Sequence, residues 1–250
     1  MGEAAIPIPT AILVAYAHPD DESFGPAALL AKYARLGSAL YGLFATRGEG
    51  GQSNMDPPPP AEELARLRGV DLVAATEAIG FRQIEGFGYP DGGLPEVPAE
   101  RLEGQILAAI CRYRPQVVLT FGPAGITRHP DHLAIHHATV GAFHRALTEG
   151  LGVRELYFDA VPAEMAGEMG IADEPDGAPN TFIDVAETAS VKLDALRAHA
   201  RHIKDAADMV ARLGAQPQTI SPLYRAYPEV PQGQRASGFL QEPQPYSQES

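Results

Sequence analysis

The chain alternates between uninterrupted apolar runs and segments in which apolar residues recur at helical spacing. Residues 11–17 form one apolar run and residues 39–46 form another, as in strands that are covered on both faces of a parallel sheet. Between them, residues 24–36 show helical spacing and end at Gly37, a residue suited to cap a helix. A strand, a helix and a strand in this order predict a right-handed crossover between parallel strands.

The same alternation continues along the chain. We predict further helices over residues 61–79, 98–114, 131–148 and 187–213. We predict further strands over residues 83–87, 116–121, 155–161 and 181–185. Residues 162–179 have the composition of a loop or lid, and residues 215–250, rich in Gln, Pro and Ser, have that of an extended surface tail. The pattern predicts an α/β fold, a Rossmann-like three-layer sandwich with a mostly parallel sheet, over residues 1–214, followed by a C-terminal extension over residues 215–250.

The charge and the cysteine content of the chain exclude some partners and some kinds of metal site. The 19 Lys and Arg against 32 Asp and Glu give a formal net charge of −13, which disfavours nucleic acid and anionic membranes, because phosphate binding needs clustered basic residues. The apolar stretch at residues 4–17 is too short to span a bilayer and follows no basic segment, so we expect a cytoplasmic protein without a signal peptide. Cys111 is the only cysteine, which excludes an intrachain disulfide and an all-cysteine zinc site, and we expect it in the core.

Two of the strongest predicted strands lead into segments dense with ionisable groups. Residues 18–22 (His-Pro-Asp-Asp-Glu) follow the first strand, and residues 129–132 (His-Pro-Asp-His) follow the strand over 116–121. Ligands of open α/β sheets bind beyond the carboxyl ends of strands. A divalent cation explains this pattern better than an ion-pair network, since few Lys or Arg lie nearby to balance buried carboxylates. Two imidazoles and one carboxylate with an open position are a catalytic zinc set, whereas a single His-Pro-Asp is typical of an ordinary turn.

These motifs resemble those of the PIG-L/LmbE-like family of zinc-dependent de-N-acetylases, which act on N-acetylglucosaminyl compounds. The resemblance rests on residues 17–22 (Ala-His-Pro-Asp-Asp-Glu), 46–49 (Thr-Arg-Gly-Glu) and 125–132 (Gly-Ile-Thr-Arg-His-Pro-Asp-His). It extends more loosely through Arg68, Asp91, Lys192 and His199. It implies a hydrolase that removes the N-acetyl group from an N-acetylglucosamine-containing small molecule.

The resemblance also implies roles for individual residues. The implied ligands of one Zn²⁺ per chain, with Fe²⁺ as a possible substitute, are His18, Asp21 and His132. Asp20 would be the general base, His129 the electrophilic or acid partner, and Asp131 the residue that orients His129. The implied substrate contacts are Arg47, Glu49, Arg68, Asp91 and His199.

Other chemistry is compatible with parts of the pattern. His132 and His136 have the spacing of a zincin helix, but Leu133 stands where that motif has its catalytic glutamate. Two imidazoles and a carboxylate would also suit a non-haem Fe(II) oxygenase, although the adjacent spare carboxylate favours hydrolysis. Residues 86–91 begin like a dinucleotide-binding fingerprint but lack its third glycine. No Gly-x-Ser-x-Gly sequence is present, so nucleophilic catalysis lacks a candidate.

The sequence leaves the substrate open. Candidates are a thiol-cofactor precursor, a secondary-metabolite glycoside or a chitin fragment; a thiol-conjugate amidase and a non-catalytic metal- or sugar-binding module are alternatives. Relatives often have Asp and Gly where this chain has Ala124 and Arg128, and Arg128 could contact an anionic substituent or point to solvent. We expect no nucleic-acid or membrane partner, and a homo-oligomer is possible.

Overall fold

The computed structural model describes residues 8–162, 166–167 and 178–245. Among these residues, seven strands form one sheet and two short strands form a separate ribbon. The strands are β1 (Ala11–Tyr16), β2 (Ala39–Thr46), β3 (Phe81–Tyr89), β4 (Val117–Thr120), β5 (Glu155–Asp159), β6 (Thr181–Asp184), β7 (Ile220–Tyr227), β8 (Gln234–Arg235) and β9 (Gln244–Pro245). The sheet order is β3-β2-β1-β4-β5-β7-β6, in which β1 to β5 run parallel and β7 runs antiparallel to both neighbours. The predicted fold class is confirmed.

Helices cover both faces of the sheet. They are α1 (Asp21–Phe24), α2 (Ala27–Arg35), α3 (Ala61–Ile79), α4 (Ala99–Tyr113), α5 (Gly125–Arg128), α6 (Pro130–Thr148), α7 (Ala189–His199) and α8 (Lys204–Ala215). Short 3₁₀ turns lie at Leu94–Glu96 and Ala186–Thr188. On one side α7 packs against α2, α3 and α8, and on the other α4 packs against α6. The result is the three-layer arrangement that the alternating pattern predicts.

The path of the chain across the sheet changes direction at β1. Ile12 of β1 lies opposite Leu40 of β2 on one side and Val117 of β4 on the other. The chain first builds outward from β1 to β3 and then returns to place β4 against the free side of β1. Ligands bind at such switch points, beyond the carboxyl ends of the strands. The segments that follow β1 and β4 therefore meet where a binding site is expected.

Several strands and helices in the first half of the chain lie where the sequence pattern predicts them. Every residue of β1 and β4 is buried, as their continuous apolar runs predict. The helix predicted over 61–79 ends where expected, because Gly80 adopts a φ of 101° and caps α3 in a left-handed conformation. The strand predicted over 83–87 is longer and spans Phe81–Tyr89.

Two predicted helices differ in extent from the structure. The helix predicted over 24–36 is α2, which begins only at Ala27 because Pro26 lacks a backbone N–H and disfavours helical geometry at Gly25, so Phe24 belongs to the separate α1. The single helix predicted over 187–213 is wrong: α7 ends at His199, and α8 begins at Lys204 after a tight turn. This break turns α8 back toward the carboxyl ends of the strands, where it helps to form a cavity wall.

The prediction of an extended surface tail after residue 214 is wrong for Ile220–Tyr227. That segment is β7, an inner strand between β5 and β6. Apolar periodicity missed it because two of its three buried positions, Ser221 and Arg225, are polar. The Arg225 guanidinium lies 3.2 Å from the buried Glu155 carboxylate. Further along, Phe239 is fully buried, so this part of the C-terminal segment contributes to the core as well.

Three further expectations concern the periphery. Cys111 is exposed and not in the core, because it lies one residue beyond the face of α4 that buries Ile106 and Ile110. Most of the predicted lid, residues 162–179, lies outside the described residues. Among the helices that the structure describes, none has the length and apolar character needed to cross a membrane.

Candidate metal centre and catalytic cavity

A cavity of about 670 Å³ opens beside the switch point between β1 and β4. The turn after β1 and the segment after β4 contribute the predicted site residues to its lining, which are His18, Asp20, Asp21, His129 and His132. The two His-Pro-Asp motifs, more than a hundred residues apart in sequence, thus share one cavity because their strands are neighbours in the sheet.

Three of the predicted residues form a compact set of donor atoms. The Nδ1 atom of His18 lies 3.1 Å from Nε2 of His132. The Asp21 carboxylate lies 3.6 Å from each of these nitrogens. The ring nitrogens of His18, His129 and His132 also lie within 4.8 Å of one another, so His129 is a further candidate donor. These His and Asp side chains could together hold a metal ion.

Hydrogen bonds on the far side of each ring orient the two facing nitrogens. Nδ1 of His132 lies 2.9 Å from the Gly125 carbonyl, which can only accept a hydrogen bond, so Nδ1 carries the proton and Nε2 presents a lone pair. Nε2 of His18 lies 3.2 Å from both the Asp131 and the Asp91 carboxylates, which leaves Nδ1 with the lone pair in the neutral ring. Two lone pairs that face each other at 3.1 Å repel unless a cation or a proton lies between them.

The surroundings of His18 strongly favour positive charge. Burial lowers the pKa of the His18 imidazole, but hydrogen bonds to Asp131, Asp21 and Asp91 outweigh burial and raise the pKa to about 12. Asp131 is itself held by the backbone N–H groups of Gly92 and Leu94, at 2.7 and 3.0 Å. The site therefore carries an excess of acceptors around one imidazole pair, the electrostatic environment that a dication requires.

Asp20 lies beside this donor set without belonging to it. Its Oδ2 accepts a hydrogen bond of 2.6 Å from Nη2 of Arg68, a guanidinium that is itself buried and also donates to the Pro19 carbonyl. Burial raises the pKa of Asp20 to about 6, although Arg68 acts to lower the pKa. Asp20 also has a φ of 146°, a conformation that residues with a side chain rarely adopt. Such strain persists only where neighbouring contacts enforce it.

His129 is held differently from our expectation. We expected the Asp131 carboxylate to orient the His129 ring, but that carboxylate contacts His18 instead. His129 is the N-cap of α6, and its Nδ1 accepts a hydrogen bond of 3.2 Å from the Asp131 backbone N–H. Burial, together with the charges on His18 and His132, lowers the pKa of His129. Because Nδ1 accepts, the neutral ring carries its proton on Nε2.

The predicted substrate contacts separate into two groups. Arg68 and Asp91 line the cavity, and Asp91 is fixed by the Gly50 backbone N–H at 3.1 Å. Arg47 and Glu49 are not among the described residues that line it; they pair with each other at 3.1 Å, as a loop-ordering pair would.

His199 does not line the cavity either, among the residues that the structure describes. Its ring is fully buried, and its Nε2 lies 2.8 Å from the Glu22 carboxylate. Neither side chain therefore reaches the space that a ligand would occupy.

Several residues of the cavity were not predicted from the sequence. Phe121 stacks on the His132 ring with centroids 3.9 Å apart and fixes its plane. Asp159, which ends β5, lines the cavity, and its position at a strand end is a signal that could have identified it. Helix α8 forms the outer wall of the cavity, and no sequence motif predicts this. Its lining residues are Asp205, Asp208, Met209, Arg212 and Leu213.

Comparison with known sequences gives a family match and named relatives. The sequence profile of the PIG-L family, described as GlcNAc-PI de-N-acetylase, matches residues 13–143, more than half of the chain. A 1D-myo-inositol 2-acetamido-2-deoxy-alpha-D-glucopyranoside deacetylase of Kineococcus radiotolerans is 31% identical, over 86% of this chain and 76% of that protein. A protein of the same name from Mycobacterium sp. (strain KMS) is 29% identical, over 79% and 75% of the two chains.

Comparison with solved structures shows the same fold. The N,N'-diacetylchitobiose deacetylase of Pyrococcus horikoshii superposes with a TM-score of 0.65 at 16% identity, covering 87% of this chain and 84% of that one. GalB, a 4-carboxy-2-hydroxymuconate hydratase of Pseudomonas putida, gives a TM-score of 0.68 at 19% identity, covering 89% and 98%. Because a deacetylase and a hydratase share this fold, the fold by itself does not select the reaction.

Proposed function

The chain belongs to the PIG-L family of de-N-acetylases, and from this premise we propose that it hydrolyses the acetamide of an N-acetylglucosamine-containing small molecule to an amine and acetate. The observation that carries the proposal is the pair of facing nitrogens on His18 and His132, with the Asp21 carboxylate beside both and a spare carboxylate, Asp20, next in the chain. A hydrolytic metal site needs this combination, since the base must lie near the ion without binding it.

The donor set fits zinc. Nitrogen and oxygen ligands lie about 2.0–2.2 Å from a tetrahedral zinc ion, and hence roughly 3.3–3.6 Å from one another. The separations of 3.1 and 3.6 Å among His18, Asp21 and His132 are close to that range, so these three are the proposed ligands. Fe²⁺ would accept the same donors. When bound, the ion supplies Lewis acidity that polarises the amide carbonyl and acidifies a water molecule.

Asp20 is the proposed general base. A base works best when its pKa is close to the working pH, and burial raises the pKa of Asp20 to about 6. The Arg68 guanidinium donates to one carboxylate oxygen, Oδ2, which aims the group and leaves Oδ1 to accept a proton from the attacking water. Arg68 would then act mainly by holding Asp20, in addition to lining the cavity.

His129 is the proposed partner for the developing negative charge and the departing amine. Because its Nδ1 accepts the Asp131 backbone N–H, its Nε2 is available as a donor. As a neutral donor, Nε2 could stabilise the oxyanion. To deliver a proton to the amine nitrogen, the ring would first have to take up a second proton on Nδ1 in place of the hydrogen bond from the Asp131 N–H. Asp131 would contribute by fixing His18 through its carboxylate and His129 through its backbone N–H.

The relatives and the cavity both bear on the substrate class. The relatives' names specify an acetamido sugar linked to inositol, and we extend a sugar of this kind to the present chain as the proposed substrate. Asp91 and the backbone of Gly50 and Gly51 line the cavity beside the donor set, where sugar hydroxyls could bind. A volume of about 670 Å³ lies within the range of sites that enclose small molecules.

The test is an amine-release assay with the zinc-loaded protein over a panel of N-acetylglucosaminides that differ in aglycone: inositol, malate, a second N-acetylglucosamine and a methyl group. We expect turnover of at least one member, with kcat/KM highest for a hydroxyl-rich aglycone. A thiol-cofactor conjugate belongs in the same panel, because turnover of this conjugate alone would favour the amidase alternative. Failure to release amine from any member would favour a binding module instead.

A further inference from the structure

A buried ion pair lies directly behind the proposed base and has no role in the proposed hydrolysis. Glu22 and His199 are both 0% exposed, and Oε1 of Glu22 lies 2.8 Å from Nε2 of His199. The Nδ1 atom of His199 has no hydrogen-bond partner among the described residues, so the polar contact of this ring is with Glu22. Burying both groups costs desolvation energy, so we expect this pair to serve a structural or functional purpose.

The second oxygen of Glu22 connects this pair to the proposed base. Oε2 accepts a hydrogen bond of 3.1 Å from the backbone N–H of Asp20, the residue with a φ of 146°. Ser23 donates from its hydroxyl to Oε1 at 2.6 Å, which further restricts the carboxylate. A backbone in so rare a conformation must be fixed by its surroundings, and Glu22 supplies one such contact on the strained residue itself.

The helix that carries His199 holds the opposite end of the same turn. Lys192 lies seven residues, or two helical turns, before His199 on the same face of α7. Its Nζ donates to the carbonyls of Phe24 and Gly25, each at 2.5 Å, at the end of α1. Helix α7 thus contacts both ends of the segment 20–25, through His199 and Glu22 at one end and through Lys192 at the other.

We propose that Glu22 and His199 are positioning residues, which hold the Asp20 backbone so that its carboxylate faces the reacting water. This inference rests on the proposed function, because it assigns a purpose to the orientation of a catalytic base. His199 fixes Glu22, Glu22 fixes the N–H of Asp20, and Arg68 fixes the Asp20 carboxylate from the other side. Both residues act through Asp20 and touch no substrate.

The informative variants change the donor on His199 while keeping its bulk. His199→Phe removes the hydrogen bond to Glu22, whereas His199→Gln keeps a donor. A misplaced base weakens only the transition state, so we expect kcat of His199→Phe to fall by about 10- to 100-fold with KM within about twofold. Bound zinc should stay at the wild-type level, and His199→Gln should recover most of the lost kcat.

Glu155→Gln is the matched control. Glu155 forms a similarly buried pair with Arg225, but it begins β5, at the end of the sheet opposite the site. We expect it to lower thermal stability with kcat unchanged. If His199→Phe lowers kcat no more than Glu155→Gln, or if the Phe and Gln variants of His199 have equal kcat, the positioning role is wrong. Should His199→Phe fail to fold, Glu22→Met replaces it with the same expected loss of kcat, because it removes the acceptor for the Asp20 backbone N–H at similar size.

A crystal structure of zinc-loaded His199→Phe separates this inference from the proposed function. We expect the φ of Asp20 to leave the region near 146° and its contact with Arg68 to lengthen. An unchanged Asp20 would overturn the positioning role even if the wild-type protein released no amine from any substrate. If Asp20 is displaced in His199→Phe while the wild-type protein shows no turnover, the positioning role is supported and the proposed hydrolase activity is rejected.

Discussion

Replacing Asp20 by Asn separates the proposed base from the proposed ligands. The amide has nearly the same size as the carboxylate, and its oxygen can still accept the hydrogen bond of 2.6 Å from Arg68. Its nitrogen, however, cannot take a proton from water. The variant should therefore retain the position of the side chain while losing the basic group.

The size of the effect follows from these contacts. General acid–base groups contribute about 10²- to 10⁴-fold to rate, which corresponds to about 2.7–5.4 kcal/mol of transition-state stabilisation. Because the Arg68 contact survives, we expect no additional loss from misplacement, and KM should change little. The Arg68 guanidinium keeps Asp91 at 4.0 Å as a charged neighbour, so the loss of folding stability should be modest, on the order of 1–3 kcal/mol.

Two measurements on the same sample decide the outcome. Zinc content by elemental analysis should stay near one per chain in Asp20→Asn, as in the wild type, while the amine-release rate falls by at least 10²-fold. Asp194→Asn, the same change on an exposed carboxylate of α7, is the control and should have wild-type activity. Near-normal turnover in Asp20→Asn would remove Asp20 from the base role, and loss of zinc would make Asp20 a ligand instead.

Three further predictions test the site and its support. His18→Ala should lose most of its zinc, and elemental analysis that finds full occupancy would reject the ligand set. Gly125→Ala should weaken zinc binding about 10-fold or more, because a Cβ at this residue, with a φ of 60°, would lie 2.7 Å from Cβ of His132; titration with a competing chelator measures the change. Burial lowers the pKa of Lys192 from 10.5 to about 8, so between these values the unfolded chain binds more protons than the folded one. The free energy of unfolding should therefore rise with pH across that window, and denaturant titrations of Lys192→Met should show less of this rise.

The sequence was most informative where one cause determined the local structure. The buried run of β1 and the motif that follows it could be predicted together, because a strand covered on both faces must be apolar and its end faces the switch point. Resemblance then assigned roles to His18 and His132, and the structure brings these two rings together. Contacts between distant segments could not be predicted: His199 was expected at the substrate but lies against Glu22.

The net charge of the chain predicted its excluded partners but not which charged residues are buried, because burial also depends on contacts between distant segments. An excess of acidic residues excludes polyanionic partners, yet it does not show which carboxylates are buried or what balances them. Arg225 illustrates the difficulty, since a charged residue in a segment rich in Gln and Pro indicated surface exposure, whereas the Glu155 carboxylate stabilises it inside the sheet. Pairings of this kind depend on the register of β5 and β7, which run antiparallel and are far apart in sequence.

The balance of charge in the cavity is consistent with the proposed cation and the proposed base in adjacent positions. Asp20 has a permanent positive partner in Arg68, at 2.6 Å, which offsets part of the cost of burying its ionised form without a metal ion. Besides the His18 backbone N–H at 2.7 Å, the Asp21 carboxylate has the imidazoles of His18 and His132 as its ionisable partners among the described residues, at 3.6 Å. These rings become effective counter-charges only when they are protonated or bound to an ion. The two neighbouring carboxylates thus face different partners, as the proposed roles of Asp20 as base and Asp21 as ligand require. Replacing Arg68 by a neutral residue would therefore do more than remove a cavity contact. It would leave Asp20 without its counter-charge, and Asp20 would then compete with Asp21 for the proposed metal ion.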